Sequence, residues 1–151
     1  MTKSLEEEVQ VMKKGNEKGF SIIELMLVCL VIGIIAALAV PWLQRAIRAA
    51  ENGNTFATMR TVASTQVGYF QSNSRFGRIT EINNLMSNAI GTPSGNQVTR
   101  GKFTFSMIPA TPTDAELRNG YTIHARRDVT GEDQVYEYEI TEAGDIRQIF
   151  P

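Results

Sequence analysis

The feature that most constrains this chain is an uncharged apolar run of nineteen residues, Leu25 to Leu43, which begins directly after a carboxylate, Glu24. As a helix rising about 1.5 Å per residue, the run would be about 28 Å long. That length is close to the roughly 30 Å of hydrocarbon in a bilayer. The run therefore predicts one membrane-spanning helix near the N-terminus, with an acid at its leading edge.

The junction in front of the run carries a second signal. Its sequence is Lys18-Gly19-Phe20-Ser21-Ile22-Ile23-Glu24, a Gly-Phe step followed closely by one acid. This junction resembles the prepilin signature of type IV pilins and the related pseudopilins, in which a dedicated peptidase cuts between Gly and Phe. The residues that match the pattern are Gly19, Phe20, Glu24, Gly33 and Pro41.

The resemblance implies a processing site and an assembly site. Cleavage would follow Gly19, and Phe20 would then carry a new, N-methylated α-amino group. In this family a carboxylate at the position of Glu24 neutralises that amine on a neighbouring subunit and sets the axial stagger of the filament. Gly33 and Pro41 belong to the same helix pattern. The alternative for Glu24 is that it reaches the headgroups, because an acid costs about 2.5–3.5 kcal/mol at the centre of a span but less near its edge.

Other interpretations of the N-terminus remain open. A secretory signal peptide, with Lys13, Lys14 and Lys18 as its basic region, would have an apolar core of about 7–15 residues, shorter than this run. A signal anchor that is never cut is the second alternative. Translation from Met12 would give a shorter, more basic leader.

The resemblance also implies organisation and location. We expect a leader over 1–19, a transmembrane and polymerisation helix over 20–43, and a head domain over 44–151. The lysines of the leader favour a cytoplasmic N-terminus, although Arg45 and Arg48 weaken the asymmetry. The expected location is the inner membrane before assembly and an extracellular or periplasmic filament afterwards. The implied partners are related subunits, the prepilin peptidase and methyltransferase, and an inner-membrane assembly platform driven by a cytoplasmic ATPase.

Charge on the head domain argues against a nucleic-acid groove. Residues 44–151 carry eleven Lys or Arg and eleven Asp or Glu, so this part is formally neutral and lacks a basic footprint. The charges are uneven, with a basic middle and an acidic C-terminal stretch. The basic group is Arg75, Arg78, Arg100 and Lys102, and the acidic group is Asp128, Glu132, Asp133, Glu137, Glu139, Glu142 and Asp145.

The helix is predicted to continue past the membrane to about residue 71. Apolar residues recur at spacings of three and four, which indicates an amphipathic helix. Pro41 should loosen it, and Gly53 marks a second weak point. The predicted buried face is Phe56, Met59, Ala63, Val67 and Phe70.

The remainder of the head is predicted to be an antiparallel sheet. A short amphipathic segment over 79–86 and a loop over 91–96 precede residues that alternate with period two. The four predicted strands centre on Phe105, Ile123, Tyr138 and, for a shorter fourth strand, residues 145–150. Helix first and strands afterwards gives an α+β class, a long N-terminal helix packed on a small antiparallel sheet, as in pilins.

Few residues offer chemistry. His124 alternates outward on its strand, so we interpret it as a surface histidine. Asp128, Glu132 and Asp133 could supply oxygens to Ca²⁺, but their spacing matches no EF-hand, so a solvated acidic turn is favoured. Cys29 is the single cysteine, which excludes an intrachain disulfide. We expect no cofactor and no enzymatic activity.

The sequence therefore predicts a structural subunit, processed at Gly19-Phe20, that polymerises through its apolar helix into a type IV pilus-like filament. A pseudopilin of a type II secretion system is the alternative within the resemblance. A membrane-anchored binding module that never polymerises is the alternative from another class.

Overall fold

The structure is a computed structural model that describes residues 19–127 and 135–150. The chain divides into two compact units, Met1–Ala46 and Ile47–Pro151. Helix α1 runs from Ile22 to Asn73 and has residues in both units. In the first unit its side chains are exposed throughout, including those of the apolar run. The helix is continuous through Pro41 and Gly53.

In the second unit α1 buries a stripe that differs from the predicted one. The stripe contains Met59 and Val62 but also the polar Gln66, all of which are at most 1% exposed. Val67 and Phe70, which were predicted to be buried, are 55% and 37% exposed. The prediction was wrong at the end of the helix because it counted apolar residues alone. Gln66 is buried there because its amide nitrogen and its amide oxygen each form a hydrogen bond with the backbone of Gly77.

Six antiparallel strands follow in chain order, each hydrogen-bonded to its neighbour in sequence. Helix α2, Ile79–Leu85, lies between α1 and the first strand. Helix α3, Glu116–Asn119, lies between the third and fourth strands. The α+β class is thereby confirmed. The strands are β1 Thr92–Ser94, β2 Gln97–Arg100, β3 Phe103–Met107, β4 Thr122–Arg127, β5 Tyr136–Thr141 and β6 Ile146–Phe150.

Strands β1 and β2 correct the prediction of a loop over 91–96. They form a hairpin around Gly95, whose φ of +59° is a conformation that favours glycine. An added Cβ on Gly91 would collide with the carbonyl of Thr99 on β2. These strands are three and four residues long, and Val98 is the one buried residue in them. They were missed because so short and polar a hairpin has almost no alternation to detect.

The predicted phase of the longer strands is confirmed. Phe103, Phe105 and Met107 are buried along β3, and the residues between them are half-buried. Tyr138 of β5 is buried and contacts Phe56 of α1, with ring centroids 4.6 Å apart. The apolar face of the sheet therefore packs on the second-unit part of α1. The remaining buried core residues are Ile79, Ile82, Ile90, Val98, Leu117, Tyr121, Ile123, Ala125 and Ile140.

A buried ion pair also joins β4 to α1. Arg127, at the end of β4, is 0% exposed, and its Nε lies 3.4 Å from a carboxylate oxygen of Glu51. Its guanidinium also lies over the ring of Tyr136, 5.9 Å from the centroid. This contact anchors the helix close to the glycine that the sequence marked as a weak point.

Candidate processing and assembly site

Gly19 and Phe20 lie outside any helix or strand, just before α1 begins. Both are exposed, and the Phe20 side chain is 88% exposed. A Cβ built on Gly19 would meet nothing within 4 Å. The bond between the two residues is therefore accessible to an external enzyme, and the fold itself places no demand on glycine at this position.

Ser21 and Glu24 together cap the first turn of α1. The Ser21 backbone N–H donates to a carboxylate oxygen of Glu24 at 2.9 Å. The Ile23 N–H donates to the Ser21 hydroxyl oxygen at 3.3 Å. The first N–H groups of a helix have no partner inside it, and a Ser and a Glu three residues apart satisfy two of them reciprocally. Sequence reasoning missed this cap, although Ser-Ile-Ile-Glu is the spacing that signals it.

The cap fixes where the Glu24 carboxylate lies. The carboxylate is held at the backbone N–H of Ser21, the residue that follows Phe20. This is the N-terminal end of the helix, where the backbone dipole favours negative charge. The carboxylate is thus already at the helix start before any partner is present. A cationic group brought to this end of the helix would meet an oriented anion and would compete with the Ser21 N–H for it.

Gly33 and Pro41 lie farther along the same helix and do not join this group. Gly33 is nine residues beyond Glu24, which is about 13 Å of helix. It is exposed, and an added Cβ would meet nothing within 4 Å. Cys29 is a free, exposed thiol on the helix. Among the described residues, α1 is the one helix long and apolar enough to cross a membrane, and none of that apolar stretch is buried.

His124 was predicted to be a surface histidine that faces outward from its strand. It does face outward from the sheet, but it lies between two acids of β5 and is half-buried. Its Nδ1 is 2.8 Å from Glu137 and its Nε2 is 3.2 Å from Glu139. A carboxylate can only accept, so both contacts are hydrogen bonds when both ring nitrogens carry protons. The pattern had a signal, because Glu137 and Glu139 alternate onto one face of the neighbouring strand.

The structure offers no support for a metal centre in the part that it describes. Within residues 19–127 and 135–150, no group of three His, Cys, Asp or Glu side chains could hold a metal ion. The calcium candidates Asp128, Glu132 and Asp133 lie outside the described residues.

Two arginines of the predicted basic middle are paired with acids. Arg75 makes two hydrogen bonds to the Glu81 carboxylate, at 2.8 and 2.9 Å. Arg78 contacts Asp114 at 2.7 Å. The hydrogen bonds from Arg75 lower the pKa of Glu81 to about 2, in spite of partial burial, and the same contact raises the pKa of Arg75. These arginines therefore hold α2 and the segment before α3 in place and are not a free basic surface.

Comparison with known families bears on the first unit. Residues 14–40 match the family model of the prokaryotic N-terminal methylation motif, which is the type IV pilin and pseudopilin signature. The match includes Gly19, Phe20, Glu24 and Gly33 and ends one residue before Pro41. No solved structure matches the chain. The chain thus carries a pilin-type precursor signature, which points to a structural subunit anchored in a membrane before assembly.

Proposed function

We propose that this chain is the precursor of a type IV pilus-like filament subunit, cut between Gly19 and Phe20 and polymerised through its N-terminal helix. One coincidence carries the proposal. The methylation signature at residues 14–40 covers most of the apolar run Leu25–Leu43, and that run is exposed on every side. An exposed apolar helix needs lipid or other helices around it, and a filament subunit requires first one and then the other.

The composition of the span supports close packing between subunits. Helices in lipid gain little from the hydrophobic effect and associate mainly through close contact, which small residues permit. Gly33 and Ala37 are four residues apart, so they lie on one face of α1. The open space around Gly33 is available to a neighbouring helix.

Glu24 is proposed to pair with the α-amino group of Phe20 on an adjacent subunit. A carboxylate buried in a bundle of apolar helices is costly unless an opposite charge neutralises it. The cap described above supports this role because it already holds the carboxylate at the helix start. On assembly, the incoming amine would replace or share the hydrogen bond from Ser21.

The remaining assignments follow from the same proposal. Residues 1–19 are the leader, 20–43 the membrane and polymerisation helix, and 44–151 the head. The leader lies in the cytoplasm and the subunit in the inner membrane until an ATPase-driven platform inserts it into an extracellular or periplasmic filament. A prepilin peptidase cleaves the chain and methylates Phe20. The signature is common to pilins and pseudopilins, and the same steps apply to a type II secretion pseudopilus.

Intact mass and terminal sequencing of the membrane-extracted protein test the processing step. We expect a mature chain that begins at Phe20 and is one methylene heavier than the unmodified sequence. Gly19→Val should leave the precursor uncut, because the peptidase requires the bare glycine backbone, while Gly33→Val should still be cut. A mature protein that keeps the leader, or that lacks the whole apolar run, would refute the proposal.

A further inference from the structure

A cleft in the second unit is left unexplained by processing and by packing of the span. It lies between the end of β3, helix α3 and the β5–β6 turn and has a volume of about 340 Å³. Its walls are mainly apolar and include Ile108, Pro109, Leu117 and Tyr121. Ile108 is 54% exposed, so the cleft opens to solvent with an apolar residue at its edge.

Two carboxylates line this cleft, and none of its lining residues is a base. Glu116 accepts hydrogen bonds from the backbone N–H and the hydroxyl of Thr113, both at 2.7 Å, which lowers its pKa and keeps it ionised. Glu142 lies over Gly120, so close that a Cβ there would be 2.9 Å from its carboxylate oxygen. Burial, together with the negative charge of Glu142, raises the pKa of Tyr121 to about 12. The cleft therefore suits a group that is apolar in part and positively charged.

The second unit carries such a group on a different surface. Arg60 is exposed on α1 and makes no ion pair within residues 19–127 and 135–150. Ser64 and Val67 follow it at four and seven residues, so the three lie on one helical face. Val67 is 55% exposed. A cation and an apolar side chain thus stand together on a face that the fold itself does not use.

We propose that the face formed by Arg60, Ser64 and Val67 of one copy docks in the cleft lined by Glu116 and Glu142 of a second copy. This inference rests on the proposed filament function and assigns its head-to-head contact. Because the face and the cleft are different surfaces, the contact is heterologous, and repetition of it builds an open chain rather than a closed pair. The contact need not be strong alone, since subunits held by their spans meet at high effective concentration.

Charge reversal on the full-length chain tests the pairing. Glu142→Arg and Arg60→Glu should each lower the number of sheared filaments about tenfold or more at equal levels of mature subunit, because like charges then meet in the cleft. The double variant restores the opposite pair and should recover filaments. Asp145→Arg, an exposed reversal in the same β5–β6 turn but outside the cleft lining, should match the wild type.

Crosslinking separates this inference from the filament proposal. In a Cys29→Ala background, Ser64→Cys combined with Asn119→Cys leaves Arg60 and Glu142 in place and should give a ladder of multimers with a short bismaleimide in intact membranes. Ser64→Cys combined with Asp145→Cys should give much less. If the double charge reversal fails to recover filaments, or if the two crosslinking pairs behave alike, the docking contact is wrong although filaments still form. If the wild type makes no filaments, the proposed function fails, and the ladder alone decides the contact.

Discussion

Replacing Gln66 with leucine should destabilise the second unit because Gln66 holds the segment that follows α1. Its side-chain amide donates to the Gly77 carbonyl at 2.8 Å, and its carbonyl accepts from the Gly77 N–H at 2.7 Å. Both residues are buried, and Gln66 is 0% exposed. Leucine fills a similar space but leaves both backbone groups of Gly77 without these partners.

The expected cost follows from those two lost contacts. A buried backbone group without a hydrogen bond costs about 1–3 kcal/mol, so two cost about 2–6 kcal/mol. The additional apolar burial of leucine offsets about 1–2 kcal/mol of that. The free energy of unfolding should therefore fall by about 2.5 kcal/mol, the middle of a range of about 0–5 kcal/mol, which is a large share of the stability of a domain of this size.

Pulse proteolysis of the detergent-solubilised chain over a urea series measures this change. Gln71→Leu is the matched control, because Gln71 lies on the same helix and is exposed. That control should shift the free energy by no more than about 0.5 kcal/mol. Equal urea midpoints for the two variants would show that the amide of Gln66 does not hold the chain at Gly77.

Three further predictions concern other parts of the chain. Glu24→Gln keeps a hydrogen-bond acceptor for the cap but removes the charge. Like Glu24→Val, it should still be processed but should yield few filaments. Normal filament counts by electron microscopy in Glu24→Gln would mean that Glu24 only caps the helix. Phe105→Ala should lower the free energy of unfolding by about 3–5 kcal/mol, because Phe105 is 0% exposed. Glu139→Ala removes a partly exposed contact and should lower it by at most about 1 kcal/mol. Equal urea midpoints for these two variants would contradict the strand phase. The folded-state pKa of Glu81 is lowered to about 2. Its ion pair with Arg75 therefore stabilises the fold above the ordinary glutamate pKa and loses that effect as the pH falls towards 2. In Glu81→Gln the urea midpoint should depend less steeply on pH over that range, and an unchanged dependence would argue against the pair.

Side chains with one dominant physical requirement were predictable from the sequence. An uncharged run of this length requires lipid or helices around it, and the alternation around Phe105 requires one buried face. The buried stripe of α1 was less predictable because Gln66 is buried through hydrogen bonds to Gly77, a partner eleven residues away. The pattern of apolar residues therefore predicted that Val67 and Phe70, and not Gln66, would be buried. The hydrogen-bond partners of His124 were not predicted for a similar reason, because both acids come from another strand.

Three features outside the core, namely the junction, the helix cap and the cleft, differed in how far the sequence could predict them. The junction at Gly19 and Phe20 was identified by its resemblance to the prepilin signature, and it lies within the matched methylation motif at residues 14–40. The cap between Ser21 and Glu24 has a sequence signal of its own, the Ser-x-x-Glu spacing. The docking cleft had no sequence signal, because Glu116 and Glu142 are far apart in the chain and meet only when α3 and the β5–β6 turn come together.

The order of the sheet has a consequence for how the second unit folds. Every strand pairs with its neighbour in sequence, from β1 to β6, so no strand lies inside the loop of another pair. The connection between β3 and β4, residues 108–121, is long and contains α3. Such local pairing folds faster than sheets built from distant segments. The strands can therefore be added one after another in chain order. Since β6 is the last strand and an edge, a chain that stops after Thr141 would lose one edge strand and keep the interior of the sheet.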